Sequence, residues 1–140
     1  LLKKVSSSKK LTALNAKIGK KKTKAKFYFS GEQSTIKKGT NYDLVDVLEG
    51  DQIINRYKKN LIKMDIEGDE LKALHSFKKT IYLNNSVFLI STYHQQDHFY
   101  KIINFFNGIS TKFSYKLFLN TPDFVDTMLL AYPSKYNHAN

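Results

Sequence analysis

The sequence predicts an α/β fold built on a mostly parallel β-sheet. Two nearly continuous apolar runs, Leu61–Ile66 and Val87–Ile90, are typical of strands covered on both faces, as in parallel sheets. After each run, apolar residues recur with the spacing of an amphipathic helix. Strands that alternate with helices indicate parallel strands joined by crossovers. The last two strands have no helix between them, so we expect the final strand to be antiparallel.

The first part of the chain carries shorter signals. Leu11–Ile18 is predicted to be a strand that ends at Gly19 and a lysine-rich turn. Lys26–Ser30 is predicted to be a second strand, which could form a hairpin-like excursion with the first. The polar segment Gly31–Asn41 is predicted to be a loop.

A short helix is predicted around Asp46, because apolar residues stand at positions 44, 45, 47 and 48, and Gly50 should end it. The strand Leu61–Ile66 then leads into an amphipathic helix from Asp69 to about Leu83. Asp69 is expected to cap the first turn of that helix.

The remaining elements follow in order. Apolar residues from Phe99 to Phe106 have the i, i+3, i+4, i+7 spacing of a helix. Phe113–Leu119 alternates as a strand, and Thr127–Tyr132 is predicted to be the last strand. We expect one domain, with residues 134–140 as a disordered tail.

Composition excludes several classes of protein. The 140-residue chain has no cysteine, so it can form neither a disulfide framework nor a thiolate metal site. No apolar stretch reaches the roughly 18 residues of a membrane span, and no signal peptide is recognisable. A cytoplasmic protein without membrane partners is therefore expected.

Positive charge is concentrated near the start of the chain. Ten lysines fall between Lys3 and Lys26, and the first acid is Glu32. One interpretation is a basic nucleic-acid-binding module that stacks bases on Phe27, Tyr28 and Phe29. The interpretation that we favour is a solvated lysine-rich surface, because no arginine accompanies these lysines to pair phosphates bidentately.

Polar side chains follow the two best strands at the point where each ends. Asp65 and Glu67 lie at the end of the first strand, and His94 follows the second. Ligands of open α/β sheets bind beyond the carboxyl ends of the strands. These three residues are therefore the candidate catalytic residues.

The stretch "IKMDIEGDELKAL" resembles the I-D-x-E-G-x-E signature of FkbM-type methyltransferases, which transfer a methyl group from S-adenosylmethionine to a hydroxyl. Other segments resemble the same family in the same order. They are "NAKIG", "YFSGEQSTI", "YDLVDVLEG", "LISTYHQQDHFYKI" and "DTMLLAYP".

The resemblance implies a class I, Rossmann-like methyltransferase sheet that lacks its first two strands. The glycine-rich turn and the ribose-binding acid of such domains have no counterpart here, since no Gly-x-Gly occurs and no acid precedes Glu32. Residues 1–140 are accordingly expected to be a single incomplete domain that begins, at Leu1, after those strands.

The resemblance also implies roles for individual residues. Asp65 would face the sulfonium of S-adenosylmethionine or the acceptor hydroxyl, and Glu67 or His94 would accept the hydroxyl proton. Asn15 and Ala16 would lie near the adenine. The acceptor implied is a sugar or another small molecule.

Structural alternatives remain open for each of these residues. Asp65 and Glu67 could be ordinary turn acids, and Glu70 is interpreted as a helix-start charge. His94 could be simply solvated, or a base oriented by Asp97. A divalent cation between Asp65, Glu67 and His94 is considered, but no metal ligand is assigned. His75, His98 and His138 are predicted to lie at the surface.

Overall fold

The computed structural model describes residues 12–20, 22–30, 33–35, 42–119 and 126–137. In these ranges the chain has a mixed α/β fold with two four-stranded sheets and short helices. The predicted α/β class is confirmed, but the arrangement of the strands differs from the expectation.

The first sheet contains four strands in the order β1-β4-β2-β3. They are β1 (Ala16–Ile18), β2 (Thr23–Ser30), β3 (Gln33–Thr35) and β4 (Tyr42–Leu48). β1 and β4 are parallel, whereas β2 is antiparallel to both β3 and β4. The predicted strand Leu11–Ile18 is therefore shorter than expected, and β4 separates it from β2. β2 forms its hairpin with β3, inside the segment predicted to be a loop.

The helix predicted around Asp46 is wrong, because these residues form β4. Val45 and Val47 are buried, while Leu44 and Asp46 are exposed. Every second residue is therefore buried, as in a strand that has one face covered. Gly50 does not end a helix but begins one, α1 (Gly50–Ile53).

The second sheet has the order β5-β6-β8-β7. Its strands are β5 (Leu61–Met64), β6 (Val87–Ser91), β7 (Phe113–Phe118) and β8 (Met128–Pro133). β5 and β6 are adjacent and parallel, as predicted, and β8 is antiparallel to both of its neighbours. In this sheet β5, β6 and β7 run in one direction, and the last strand, β8, runs opposite to them, as expected. The expected burial of β5 on both faces is wrong, because Leu61 is 73% exposed and Lys63 is also exposed.

Helices cover the second sheet. The crossover from β5 to β6 consists of α2 (Glu70–Leu74), a 3-10 turn (His75–Phe77) and α3 (Lys78–Leu83). The helix α4 (His98–Asn107) follows β6. Within the described ranges, no helix has the length and apolar character needed to cross a membrane.

The core lies between these helices and the second sheet. Phe88 on β6 is fully buried, with its ring centroid 5.2 Å from that of Phe106 on α4. Leu74, Ile81 and Ile102 are also fully buried. The core thus holds the carboxyl ends of β5 and β6 in place.

The expected disordered tail begins with ordered structure. Ser134–Tyr136 is a 3-10 turn, and the Tyr136 hydroxyl donates a hydrogen bond of 3.3 Å to the Asn85 carbonyl. The tail stays a prediction, and positions 138–140 lie outside the described residues.

Candidate functional site

The chain turns sharply after β5. Glu67 and Gly68 both have positive φ, 54° and 93°. The Gln95 amide nitrogen donates a 2.8 Å hydrogen bond to the Gly68 carbonyl. A Cβ at Gly68 would stand 3.0 Å from that nitrogen, so this position suits glycine in both space and conformation. The turn brings the acids that follow β5 alongside the residues that follow β6.

Glu70 is the buried centre of this region. Its side chain is fully buried, and its Oε1 accepts the Ile66 backbone N–H at 3.0 Å. A residue interpreted as a helix-start charge therefore closes the turn and carries a carboxylate into the protein. This role was not predicted, because an acid in the first turn of a helix is common and usually exposed.

His94 meets acids on both sides of its ring. Its side chain is 9% exposed, and its Nδ1 lies 3.0 Å from Glu70 Oε1. Its Nε2 lies 3.7 Å from Asp65 Oδ1 and 3.5 Å from Glu67 Oε2. The structure thus brings the three predicted catalytic residues together, and it adds Glu70.

Tyr93 also belongs to the site, although the sequence did not single it out. Its hydroxyl donates a 3.2 Å hydrogen bond to Asp65 Oδ1, and its ring centroid lies 4.1 Å from that of His94. Burial, followed by the charge of Asp65 and the hydrogen bond to it, raises the pKa of Tyr93. Tyr93 is therefore a hydrogen-bond donor to Asp65.

His98 was predicted to lie at the surface, and this is wrong. It is 1% exposed, and its Nδ1 lies 3.5 Å from Glu70 Oε2. Burial lowers the pKa of His98, and the charges of His94 and Lys101 add to this, while Glu70 opposes it. The net effect favours the neutral imidazole.

The other two histidines lie away from this cluster or outside the description. His75 is half-buried, with its ring 4.5 Å from that of Phe105, so its surface prediction is also wrong. Burial lowers the pKa of His75, and the charges of Lys20 and Lys78 lower it further. His138 lies outside the described residues.

Asp69 does not cap its helix with its side chain, contrary to the prediction. It bridges Lys17 of β1 at 2.9 Å and Lys72 of α2 at 2.7 Å. Burial alone would raise the pKa of Asp69, but hydrogen bonds from Lys72 and Lys17 and their charges hold it below its ordinary value. The bridge connects the first sheet to the turn that carries the site.

Asp97 does not orient His94. It is exposed and lies 3.5 Å from Lys101 Nζ on its own helix, whereas the carboxylate beside His94 Nδ1 is that of Glu70. Asn15 and Ala16 lie at the beginning of β1 and not at the end of a strand. Their role near an adenine stays a prediction.

The basic segment gains no support as a nucleic-acid surface. Lys17 is paired with Asp69. Lys3 and its neighbours to position 11 lie outside the described residues, as do the side chains of Phe27, Tyr28 and Phe29.

Taken together, the site is an acidic surface with an imidazole at its centre. Asp65 is 39% exposed and Glu67 63% exposed, so both can reach a bound molecule. Behind them, Glu70 Oε2 and both ring nitrogens of His94 are buried and have no hydrogen-bond partner in the described part of the chain. Such a site suits a cationic ligand or the removal of a proton.

No protein-family model matches the chain, and no curated protein matches it significantly. Its structure matches the crystal structure of the methyltransferase FkbM from Methylobacillus flagellatus KT, with a TM-score of 0.70 and 27% sequence identity. The match covers 94% of this chain and 32% of that protein, so the chain spans about a third of its length. The resemblance indicated by the sequence motifs is thereby confirmed, and the chain is similar in sequence and fold to an FkbM methyltransferase.

Proposed function

We propose that this chain is part of an S-adenosylmethionine-dependent O-methyltransferase that acts on a hydroxyl of a sugar or another small molecule. The observation that carries the proposal is the cluster of Asp65, Glu67, Glu70 and His94 beyond two adjacent parallel strands. It occurs in a chain similar to a known methyltransferase.

The residues present fit the positive charge of the methyl donor. When bound, S-adenosylmethionine supplies an electrophilic methyl group on a sulfonium sulfur. Asp65 and Glu67 present exposed carboxylates, and Lys63, 4.0 Å from Asp65, is the cation nearest to them among the ion pairs of the described residues. A carboxylate near the sulfonium attracts the donor and holds it at the strand ends.

In this proposal Glu67 takes the acceptor proton, with His94 behind it. Glu67 is 63% exposed, and its Oε2 lies 3.5 Å from His94 Nε2, which is buried. An exposed carboxylate can remove the hydroxyl proton as the oxygen attacks the methyl carbon. Glu70 is a positioning residue, since its side chain is fully buried.

The parts that hold the rest of the donor are proposed to come from outside these residues. The described strands would correspond to a class I sheet without its first two strands. In the fold that the resemblance implies, the first strand lies between the β1 side and β5. β1 and β5 are each an edge strand of their sheet, which supports this arrangement.

A methyl-transfer assay tests the proposal. The full protein is incubated with S-adenosylmethionine labelled in its methyl group and with a panel of sugar and small-molecule hydroxyl acceptors, and the product is analysed by NMR. We expect label on an oxygen. Asp65→Asn should lower turnover about 100-fold with little change in melting temperature.

Asp43→Asn is the matched control, because Asp43 is an exposed aspartate on β4 that makes none of the contacts of the site. It should retain wild-type turnover. The proposal fails if no acceptor is labelled, or if Asp65→Asn loses melting temperature and activity in the same proportion.

A further inference from the structure

We propose that Asp65, Glu70 and His94 bind a divalent metal cation of the Mn²⁺ type. Each of the three offers one ligand atom, and these atoms all lie within 4.8 Å of one another. Ligand atoms about 2.1 Å from one ion are about 3–4 Å apart, so a small inward movement of these side chains would complete the site.

Buried polar atoms that lack hydrogen-bond partners support the binding of a cation at this place. The His94 side chain is 9% exposed, and the Glu70 side chain is fully buried. Across the described ranges, neither His94 ring nitrogen nor Glu70 Oε2 has a hydrogen-bond partner. A buried polar atom left without a partner destabilises the folded protein. A cation at this place would bond to one of the two His94 nitrogens and to one Glu70 oxygen, and so give partners to two of these residues' buried groups.

The contact between His94 and Glu70 has the separation of two ligands of one ion. Nδ1 and Oε1 are 3.0 Å apart, yet the pair does not have hydrogen-bond geometry. A histidine–carboxylate hydrogen bond requires the ring N–H to point at the oxygen. Ligands that share an ion stand at this distance without pointing at each other.

The ligand types indicate the class of cation. Carboxylates suit Mg²⁺ and Mn²⁺, whereas an imidazole suits transition metals, so a mixed set favours Mn²⁺ over Mg²⁺. The negative charges of Asp65, Glu67 and Glu70 add to the attraction for a divalent ion. Because Asp65 is 39% exposed, the ion would keep coordination positions open toward solvent.

The consequence for catalysis rests on the proposed function. The acceptor hydroxyl oxygen would bind at an open position, where the cation lowers its pKa. The proton would pass to Glu67, whose Oε2 lies 3.5 Å from His94 Nε2. The new O–C bond would form as the S–C bond breaks, and the neutral thioether would leave.

Titration of the metal-free full protein with Mn²⁺, followed by electron paramagnetic resonance of the free ion, tests the site. We expect one Mn²⁺ per chain. Asp65→Asn and His94→Gln should each weaken binding at least tenfold, and Asp43→Asn should leave it unchanged. Glu70→Gln is not used, because Glu70 is fully buried and its substitution can prevent folding. Asp65 is 39% exposed, so its variant tests the site without that problem.

Absence of binding, or equal binding by all variants, would overturn the site. The measurement is separate from the methyl-transfer assay. Mn²⁺ binding without transfer would leave the site standing and count against the proposed function. Full transfer activity in excess EDTA would leave the function standing and overturn the catalytic role of the cation.

Discussion

Glu67 holds a backbone conformation that few residues with a side chain adopt. Its φ is 54°, in the left-handed region, immediately before Gly68 at 93°. This conformation costs roughly 1–2 kcal/mol for a residue with a Cβ. Strain of this kind is often found at functional sites, and here it directs an exposed carboxylate toward His94.

Two substitutions at this position measure the strain. Glu67→Gly and Glu67→Ala both remove the carboxylate, but only glycine removes the steric cost. We expect the glycine variant to have a free energy of unfolding about 1 kcal/mol higher than the alanine variant in urea denaturation. Equal stabilities would show that Glu67 is not strained.

Burial of His98 predicts a dependence of stability on pH. Its folded-state pKa lies below the ordinary value of 6.5, so between these two pKa values the unfolded chain binds a proton that the folded chain does not. Stability should therefore fall as the pH drops below about 6.5. Urea denaturation in EDTA at pH 7.5, 6.5 and 5.5 measures this, with His98→Gln as the comparison. The variant should lose less stability over this range, and an equal loss would contradict the account.

The sequence could predict which residues end the strands, but not their surroundings. Asp65, Glu67 and His94 follow apolar runs that the sequence predicts to be strands, although β6 is largely buried and β5 is not. The full burial of Glu70 and the contact of Tyr93 with Asp65 depend on how one turn folds over another. A signal for Glu70 was present in the signature itself, in which the second Glu is a fixed member.

Among the elements, α1 and α3 are joined by one buried carboxylate. Asp51 is 9% exposed. Its Oδ2 accepts the Lys79 backbone N–H at 3.0 Å, and its Oδ1 accepts the Thr80 N–H at 2.9 Å and the Thr80 hydroxyl at 2.6 Å. An acid from another helix thus satisfies the free amides at the start of α3.

Asp51→Ala should lower the free energy of unfolding by about 3 kcal/mol, because it leaves donors at the start of α3 without a partner. Urea denaturation measures the loss. Asp43→Ala serves as the exposed control and should stay within about 0.5 kcal/mol of wild type. A loss below about 1 kcal/mol for Asp51→Ala would show that water replaces the carboxylate.

The sequence predicted correctly whether a segment is a helix or a strand where its apolar residues had the spacing of only one of the two. The run at Val87–Ile90 gives β6, and the spacing from Phe99 to Phe106 gives α4. The pattern at positions 44, 45, 47 and 48 fits both periods, and pairing with β1 and β2 decides for a strand. Such pairing is a tertiary effect that local spacing does not contain.

At the scale of the whole molecule, the two sheets are joined by side chains around the site. Lys17 of β1 reaches Asp69, and Ile18 packs against the core of the second sheet. Gly50, which follows β4, contacts the ring of Phe77 beside the second sheet so closely that a Cβ at position 50 would stand 2.3 Å from the ring. In the described ranges no strand pairing joins the two sheets.

We predict that the 140-residue chain on its own binds S-adenosylmethionine only weakly. The sequence has no Gly-x-Gly turn to bind the methionine end of S-adenosylmethionine. Each lost hydrogen bond to a charged group costs about 1.5–3 kcal/mol, so affinity should fall by orders of magnitude. Calorimetry on the purified chain measures this. Micromolar binding by a monomer would contradict the proposal that part of the donor site comes from outside these residues.

The most direct test of the central claim compares two ligands that differ in one charge. S-adenosylmethionine has a positive sulfonium, and S-adenosylhomocysteine has a neutral sulfur in its place. Calorimetry on the full protein in excess EDTA, where no cation neutralises Asp65, gives the ratio of their dissociation constants for wild type, Asp65→Asn and Asp43→Asn. If the Asp65 carboxylate faces the sulfonium, Asp65→Asn should shift the ratio against S-adenosylmethionine by about 1 kcal/mol, roughly five-fold, and Asp43→Asn should not. An unchanged ratio in Asp65→Asn would contradict the claim that this carboxylate acts on the methyl donor.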